Sequence, residues 1–458
     1  MFTEIMQYVL DLGPTVMLPI VIIIFSLAFG MKLGAAFKSG LHIGIGFVGI
    51  SLVIGLMLDS IGPAAQSMTE TFGINLNVVD LGWPGSSPIT WASEIALIAI
   101  PIAISVNILM LVTKMTRVVN VDIWNIWHMT FTGALVHMAT GSYMLGIFGV
   151  VVHAALAYKL GDWFASDTKE YFGLEGIAVP HGSSAYCGPI SVLVDAVIDK
   201  IPGLRSIHFS TDEIQKRFGA LGEPVTVGFI MGMIIGLLAG YDLKAVLQLA
   251  VKTAAVMLLM PRVIKPIMDG LNPIAKHART KLQNKFGGED YLIGLDPALL
   301  LGQSNVVSAS LLFIPLTIFI AVILPGNSIL PFGDLATIGF FVAMGVAVHN
   351  GNLFRTIISG VIIMAGTLWM ATQTIPYLTQ LGKATGHVTG DKLLGALDQG
   401  GSPITYILIE GLTLKNVMGL IIIGGVYFFA LFLTWNRARK YNSLQDKLKT
   451  KQTSTASA

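Results

Sequence analysis

Four short stretches interrupt the apolar chain with polar side chains that could do chemistry. Residues 79–91 supply Ser86, Ser87 and Thr90, and residues 178–190 supply His181, Gly182, Ser183 and Ser184. Residues 293–305 supply Asp296, Gln303, Ser304 and Asn305, and residues 397–406 supply Asp398, Gln399, Ser402 and Thr405. The mixture suits a neutral, hydroxyl-rich ligand. A buried hydroxyl left unpaired costs about 1–3 kcal/mol, so a polyol site needs several convergent donors and acceptors. Carboxylates and side-chain amides serve well, because each can engage two neighbouring hydroxyls. Asp296 and Asp398 are the expected ligands; the alternative for each is a carboxylate that only caps a helix or closes a turn.

Two histidines extend the set. His137 and His349 lie 212 positions apart, each on an apolar run. The paired placement favours a ligand role, and the alternative is a packed, satisfied histidine. His42 and Lys252 coincide in the same way, although Lys252 also suits a pairing between helices.

Several chemistries are excluded. The nine histidines show no HExxH spacing, no carboxylate cluster suggests a metal centre, and no Walker A sequence is present. Neither metal nor cofactor is expected. The single cysteine, Cys187 in "AYCGPI", forbids an intrachain disulfide and has no neighbouring base to make a reactive thiolate, so a phosphocysteine here is not expected. No basic patch with interleaved aromatics points to nucleic acid. The glycines of "GFIMGMIIGLLAG" suit a helix-packing face.

The elements that must position these residues follow from composition. Hydrophobic residues are 54% of the chain and charged residues 12%, against roughly 25% charged in soluble domains. The runs 13–31, 39–58, 95–113, 123–158, 224–241, 297–333, 356–382 and 416–436 contain no Asp, Glu, Lys or Arg. A spanning helix takes about 20 apolar residues. This is a polytopic helical membrane protein. Its first segment lacks the basic start of a cleavable signal and is expected to be retained. Lys and Arg crowd 200–217, 262–285 and the end after Trp435 but are absent from 59–113, so the C-terminus is expected in the cytoplasm. Residues 441–458 read as a disordered tail.

The chain is also written twice. Pro14, Gly30 and Leu33 recur 210 positions later as Pro224, Gly240 and Leu243, and "LDSIGP" recurs as "MDGLNP". At nearby shifts Gly85 and Pro88 meet Gly294 and Pro297, Asp122 meets Asp334, and "HGSS" meets "QGGS". The halves are about 10–205 and 220–412, with a last helix at 416–436. About five membrane segments per half would invert the second copy, and inverted repeats meeting at a midplane site mark transporters. Retention of an old duplication for packing is the alternative. The four polar stretches then become re-entrant breaks, since non-helical backbone at membrane depth survives only inside protein or around a water-filled cavity. Residues 79–91 also suit an ordinary external loop. On residues alone an ion-coupled secondary transporter of a polyol, with Asp296 and Asp398 as coupling carboxylates, stays open. An enzyme acting on lipid lacks a recognisable constellation.

Longer blocks separate these readings. "HIGIGFVGISLVIGLMLDSIGPAA", "VDLGWPGSSPITWAS", "RVVNVDIWNIWHMTFTGAL", "GIAVPHGSSAYCGPI", "VMLLMPRVIKPIMDGLNPIA" and "DQGGSPIT" closely resemble the galactitol permease IIC components of the bacterial phosphotransferase system, over about residues 1–440. The resemblance implies an inner-membrane subunit that takes up galactitol and releases it as galactitol phosphate. It implies a separate phosphorylated IIB protein, charged through IIA and the general phosphocarriers, and a homodimer whose core domain moves in the lipid bilayer. It places substrate contacts at the His181–Ser184 region, Asp296 and the Gln399–Ser402 region, with His137 and His349 on neighbouring helices; the polar stretches themselves add Ser87, Gln303 and Asp398 to the expected ligands. His181 or Asp296 is the candidate base for the attacking hydroxyl.

Overall fold

A computed structural model describes residues 14–28, 30–71, 78–211, 216, 223–286, 291–331, 333–334, 337–388 and 392–456. The start of the first segment, the beginnings of both proposed halves and part of the 200–217 linker lie outside the described residues. In chain order the elements are α1 (Pro14–Ala28), α2 (Leu33–Thr71), β1 (Val78–Asp80), α3 (Gly82–Trp91), α4 (Ala96–Val112) and β2 (Val118–Asn120). Then come α5 (Ile123–Thr140), α6 (Tyr143–Trp163), α7 (Ala165–Glu170), β3 (Ile177–Ala178) and α8 (Gly188–Ile198). After the 3-10 turn Leu204–Ser206 follow α9 (Pro224–Leu238), α10 (Leu243–Phe286), β4 (Leu292–Gly294) and the 3-10 turn Pro297–Gly302. The remainder is α11 (Ser304–Ile323), α12 (Ile338–Val348), α13 (Leu353–Ala384), β5 (Leu393–Gly395), α14 (Pro403–Thr413) and α15 (Val417–Ala456).

Among the described residues α6, α11, α13 and residues 417–444 of α15 are each long and apolar enough to cross a bilayer. The bent pair α3–α4 adds a fifth if counted as one span, its halves turning by 89°. Leu52, Val112, Leu243 and Met418 are 70%, 76%, 73% and 68% exposed, an apolar exterior that a lipid phase covers. The chain is a polytopic helical membrane protein.

Helix α2 lies along α10, flanked by α1 and α9. The glycine face expected on α9 packs here. A Cβ at Gly232 would sit 2.6 Å from the Ala250 Cα, and one at Gly236 3.1 Å from the Val246 Cα. Four-residue spacing puts these glycines in one row, so the backbones approach closely. A second group holds α5, α6, α8 and α11–α15 around a more deeply buried interior.

The all-α expectation needs one amendment. Among the described residues five short strands pair in parallel; β1, β3 and β4 lie at the starts of polar stretches, and β2 and β5 lie outside them. β1 pairs with β5, Val79 opposite Leu394, and Val78 also bridges Ile329. β4 lies between β2 and β3, Ile293 facing both Val119 and Ile177. Each small sheet therefore combines chain from before and after residue 210. The cause is backbone accounting: a broken segment buried away from water must still pair its N–H and C=O groups. The ladders continue one residue on, with the Leu81 N–H donating to the Gly395 carbonyl and the Val121 N–H to the Gly294 carbonyl.

The last helix also runs further than hydropathy suggests. α15 is continuous to Ala456, through the stretch read as a disordered tail. Residues 437–456 contain neither Gly nor Pro, so nothing in their backbone chemistry stops the helix.

Candidate functional site

The cluster begins on α5. Asp122 caps its N-terminus, one carboxylate oxygen accepting from the Trp124 N–H at 2.8 Å. From this start Asn125, His128 and Thr132 follow at i, i+3 and i+7, a polar stripe on one face of an otherwise apolar helix, and all three are buried.

His128 joins two of the breaks. Its Nδ1 accepts from the Gly182 backbone N–H at 3.1 Å, and its Nε2 lies 3.2 Å from the Asp398 Oδ2. A ring nitrogen that accepts from an amide carries no proton, so the ring proton is on Nε2 and is donated to Asp398. The other oxygen of Asp398 accepts from the Gln399 side-chain amide at 3.0 Å. Asp398 is thus engaged by side chains on both oxygens, which a mere turn-closing role would not require.

Gln399 adopts φ +60°, the left-handed region, which costs a non-glycine residue roughly 1–2 kcal/mol. Gly182 lies directly against its side chain, in a space where any Cβ would collide with the amide. A larger residue at 182 would have to displace that amide.

Asp296 does two things. Its Oδ1 accepts from the Ala298 N–H at 2.7 Å, the capping role open to it from sequence. Its Oδ2 faces the His181 Nε2 at 3.5 Å, while His181 Nδ1 lies 3.2 Å from the Ser183 hydroxyl. The His181 and His128 rings meet edge to face at 4.0 Å. The stretch 79–91 joins through its backbone: one oxygen of Asp334 accepts from the Trp83 N–H, the other from the Asp398 N–H. All four polar stretches are therefore linked by one continuous set of contacts.

On α5 and in the 178–190 and 397–406 stretches the buried atoms Asn125 Oδ1, Ser184 Oγ, Gln399 Oε1 and Ser402 Oγ have no protein partner. Ser402 is the N-cap residue of α14 yet makes no side-chain capping bond. Buried polar atoms of this kind are costly unless a ligand satisfies them. They supply acceptors and hydroxyls, the chemistry a polyol requires. Among the described residues no group of His, Cys, Asp and Glu is arranged to hold a metal ion.

Other sequence-selected residues sit elsewhere. Ser87 is buried on α3. Gln303 directs its amide to the Tyr171 carbonyl at 3.5 Å. His137 is half-buried near the C-terminal end of α5, its ring 5.8 Å from that of Tyr143. It follows His128 by nine positions, and at about 100° per residue it projects from the opposite side of the helix. His349 closes α12, with Nδ1 3.1 Å from Asp195 and Nε2 3.0 Å from the Ser359 hydroxyl. Arg355 shares that Asp195 carboxylate. Neither histidine is in the chain of contacts around Asp398.

His128, Asn125, Thr132 and His153 are not among the residues that the sequence singles out. Thr132 bonds both His153 Nδ1 and the Thr405 hydroxyl, at 2.7 Å each. The i, i+3, i+7 stripe was the available signal.

Comparisons with known proteins find relatives along nearly the whole chain. Residues 8–392 match the model of the EIIC-GAT family, "PTS system sugar-specific permease component". The chain is 72% identical over 441 residues to the "PTS system galactitol-specific EIIC component" of Escherichia coli K12, covering 96% of this chain and 98% of that protein. It is 40% identical over 428 residues to a "Putative permease IIC component" of the same strain, covering 93% and 98%.

Proposed function

The chain belongs to the EIIC-GAT family of PTS sugar-specific permease components, and from that premise we propose that it is the membrane subunit that takes up galactitol and delivers it as galactitol phosphate. The observation that carries this is the His128–Asp398–Gln399–Gly182 cluster with its unpartnered polar atoms, a hydroxyl-matching set buried in an apolar interior. On this reading residues 10–205 and 220–412 are two inverted repeats whose re-entrant tips are the four breaks, followed by the last helix. The swapped strand pairing supports that reading: β4 sits between two strands from the first half, and β1 pairs with two segments from the second.

Galactitol enters from outside the inner membrane. Its hydroxyls bond Asp296, Asp398, Gln399 and Ser402 from one half and the His181–Ser184 tip from the other. Phosphorylated IIB then docks at the cytoplasmic face, where the basic linkers and the C-terminus lie. The attacking hydroxyl oxygen bonds to phosphorus, the phosphorus–sulfur bond of the IIB phosphocysteine breaks, and the thiolate leaves with the electron pair. The hydroxyl proton passes to the His181–Asp296 pair, which acts as one acceptor. The product dianion suits a neutral-polyol site badly and departs. Two copies form a homodimer, and the core moves as an elevator against the α1–α2–α9–α10 group.

Purified protein in liposomes tests the reading. It should accumulate galactitol phosphate only when phosphorylated IIB is present on the cytoplasmic side. Uphill uptake of unmodified galactitol on a proton gradient alone would overturn it in favour of ion coupling.

A further inference from the structure

Two buried carboxylates outside the proposed ligand set occupy matching places. Asp122 and Asp334 are 1% and 0% exposed. Asp122 holds the Trp124 N–H on one oxygen and the Asp296 N–H on the other, at 2.8 and 3.1 Å. Asp334 holds the Trp83 N–H on one oxygen and the Asp398 N–H on the other, at 2.9 and 2.8 Å. Each therefore ties a tryptophan backbone to the backbone of a carboxylate in the cluster. The two tryptophan rings then meet edge to face, their centroids 5.2 Å apart.

The contacts form one unbroken chain: Asp296, Asp122, Trp124, Trp83, Asp334, Asp398. It is further pinned by Asp80, whose carboxylate accepts from the Gly82 and Gly333 N–H groups on either side of the Trp83–Asp334 bond. Charge-assisted bonds to backbone N–H groups are shorter and stronger than neutral ones, and interiors this tightly packed transmit small displacements.

We infer that Asp122 and Asp334 are paired positioning residues that, through the Trp83–Trp124 contact, set the separation of Asp296 and Asp398 and so determine which hexitol the site accepts. Neither touches the ligand in this scheme. Hexitols differ by the direction of single hydroxyls, so two ligand carboxylates held at a fixed separation discriminate among them, and loosened ones do not. The inference rests on the polyol reading given above.

The substitutions Asp122→Asn and Asp334→Asn test it in the full-length protein. Each keeps the side-chain shape but turns an amide N–H2 toward one of the clamped N–H groups. Galactitol dissociation constants should rise about tenfold, the usual scale for losing one charge-assisted buried bond. The preference for galactitol over an epimeric hexitol should fall several-fold. A purely structural role would reduce the yield of folded protein and leave that preference intact. Folded variants whose preference stays within twofold of the wild type overturn the inference. Trp83→Leu, which leaves both carboxylates in place and removes the ring contact, decides the matter if an Asn variant does not fold: it too must lower the preference. Wild-type protein that binds no hexitol would instead sink the polyol reading. The positioning chain is then judged by thermal melts, where the Asp122→Asn/Trp83→Leu double variant must deviate from additivity.

Discussion

His128 and Asp398 stand 270 positions apart in the chain, yet the Nε2 of one donates to the Oδ2 of the other across 3.2 Å, both deeply buried. The same imidazole accepts the Gly182 N–H, so one side chain fastens both stretches that carry the "HGSS" and "QGGS" phrases.

Removing that imidazole should be severe. His128→Ala leaves the Gly182 N–H and an Asp398 oxygen unpaired, at roughly 1–3 kcal/mol each, so galactitol affinity should fall on the order of a hundredfold. His128→Gln keeps a donor toward Asp398 and should fall less. Calorimetric titration of the two purified variants separates them, and equal affinities would refute the two-sided role.

Gly182→Ala forces a Cβ against the Gln399 amide. The side chain must swing away and surrender its bond to Asp398. A rise of about tenfold in KM for galactitol phosphorylation is expected, because one buried hydrogen bond to a charged group is lost. The kinetic assay with phosphorylated IIB reads this directly.

Gln399→Gly should separate stability from function. Glycine removes the cost of φ +60°, roughly 1–2 kcal/mol, which about offsets the lost amide bond to Asp398. The thermal midpoint should not fall, and galactitol affinity should. A lower midpoint with unchanged affinity would show that the amide is structural.

His181 and Asp296 should behave as one unit in phosphoryl transfer. Either His181→Ala or Asp296→Asn should slow product formation by on the order of a hundredfold. The double variant should be little slower than the worse single one, as for groups that act together. Single-turnover rates with phosphorylated IIB check this; multiplicative losses would separate the two roles.

His349→Ala should act on stability instead. It strips a partner from Ser359 and from Asp195, although Arg355 still holds that carboxylate. A loss of roughly 1–3 kcal/mol, with the galactitol dissociation constant unchanged, is the expected outcome. Denaturant titration and binding on the same preparation test both halves of that statement.

Much of this protein was legible as a string. Charge-free runs declared the membrane class because hydrocarbon rejects charge whatever the tertiary arrangement. The α9 glycines declared a packing face because spacing of four puts residues in one row on any helix. The polar phrases, broken by Gly and Pro, were visible as groups of hydrogen-bonding side chains set between apolar runs.

What linear order does not contain is which groups meet. That His128 and not His137 faces Asp398 depends on helix phase relative to a segment more than two hundred residues away. That Asp296 caps a turn with one oxygen and faces His181 with the other depends on where β4 is held between β2 and β3. The short strands themselves arise from the need of buried backbone to find partners, and those partners lie in the other part of the chain. Residue type and local period settled the environment and the elements. Only the packing of distant segments, each satisfying the other's unpaired groups, decided the site.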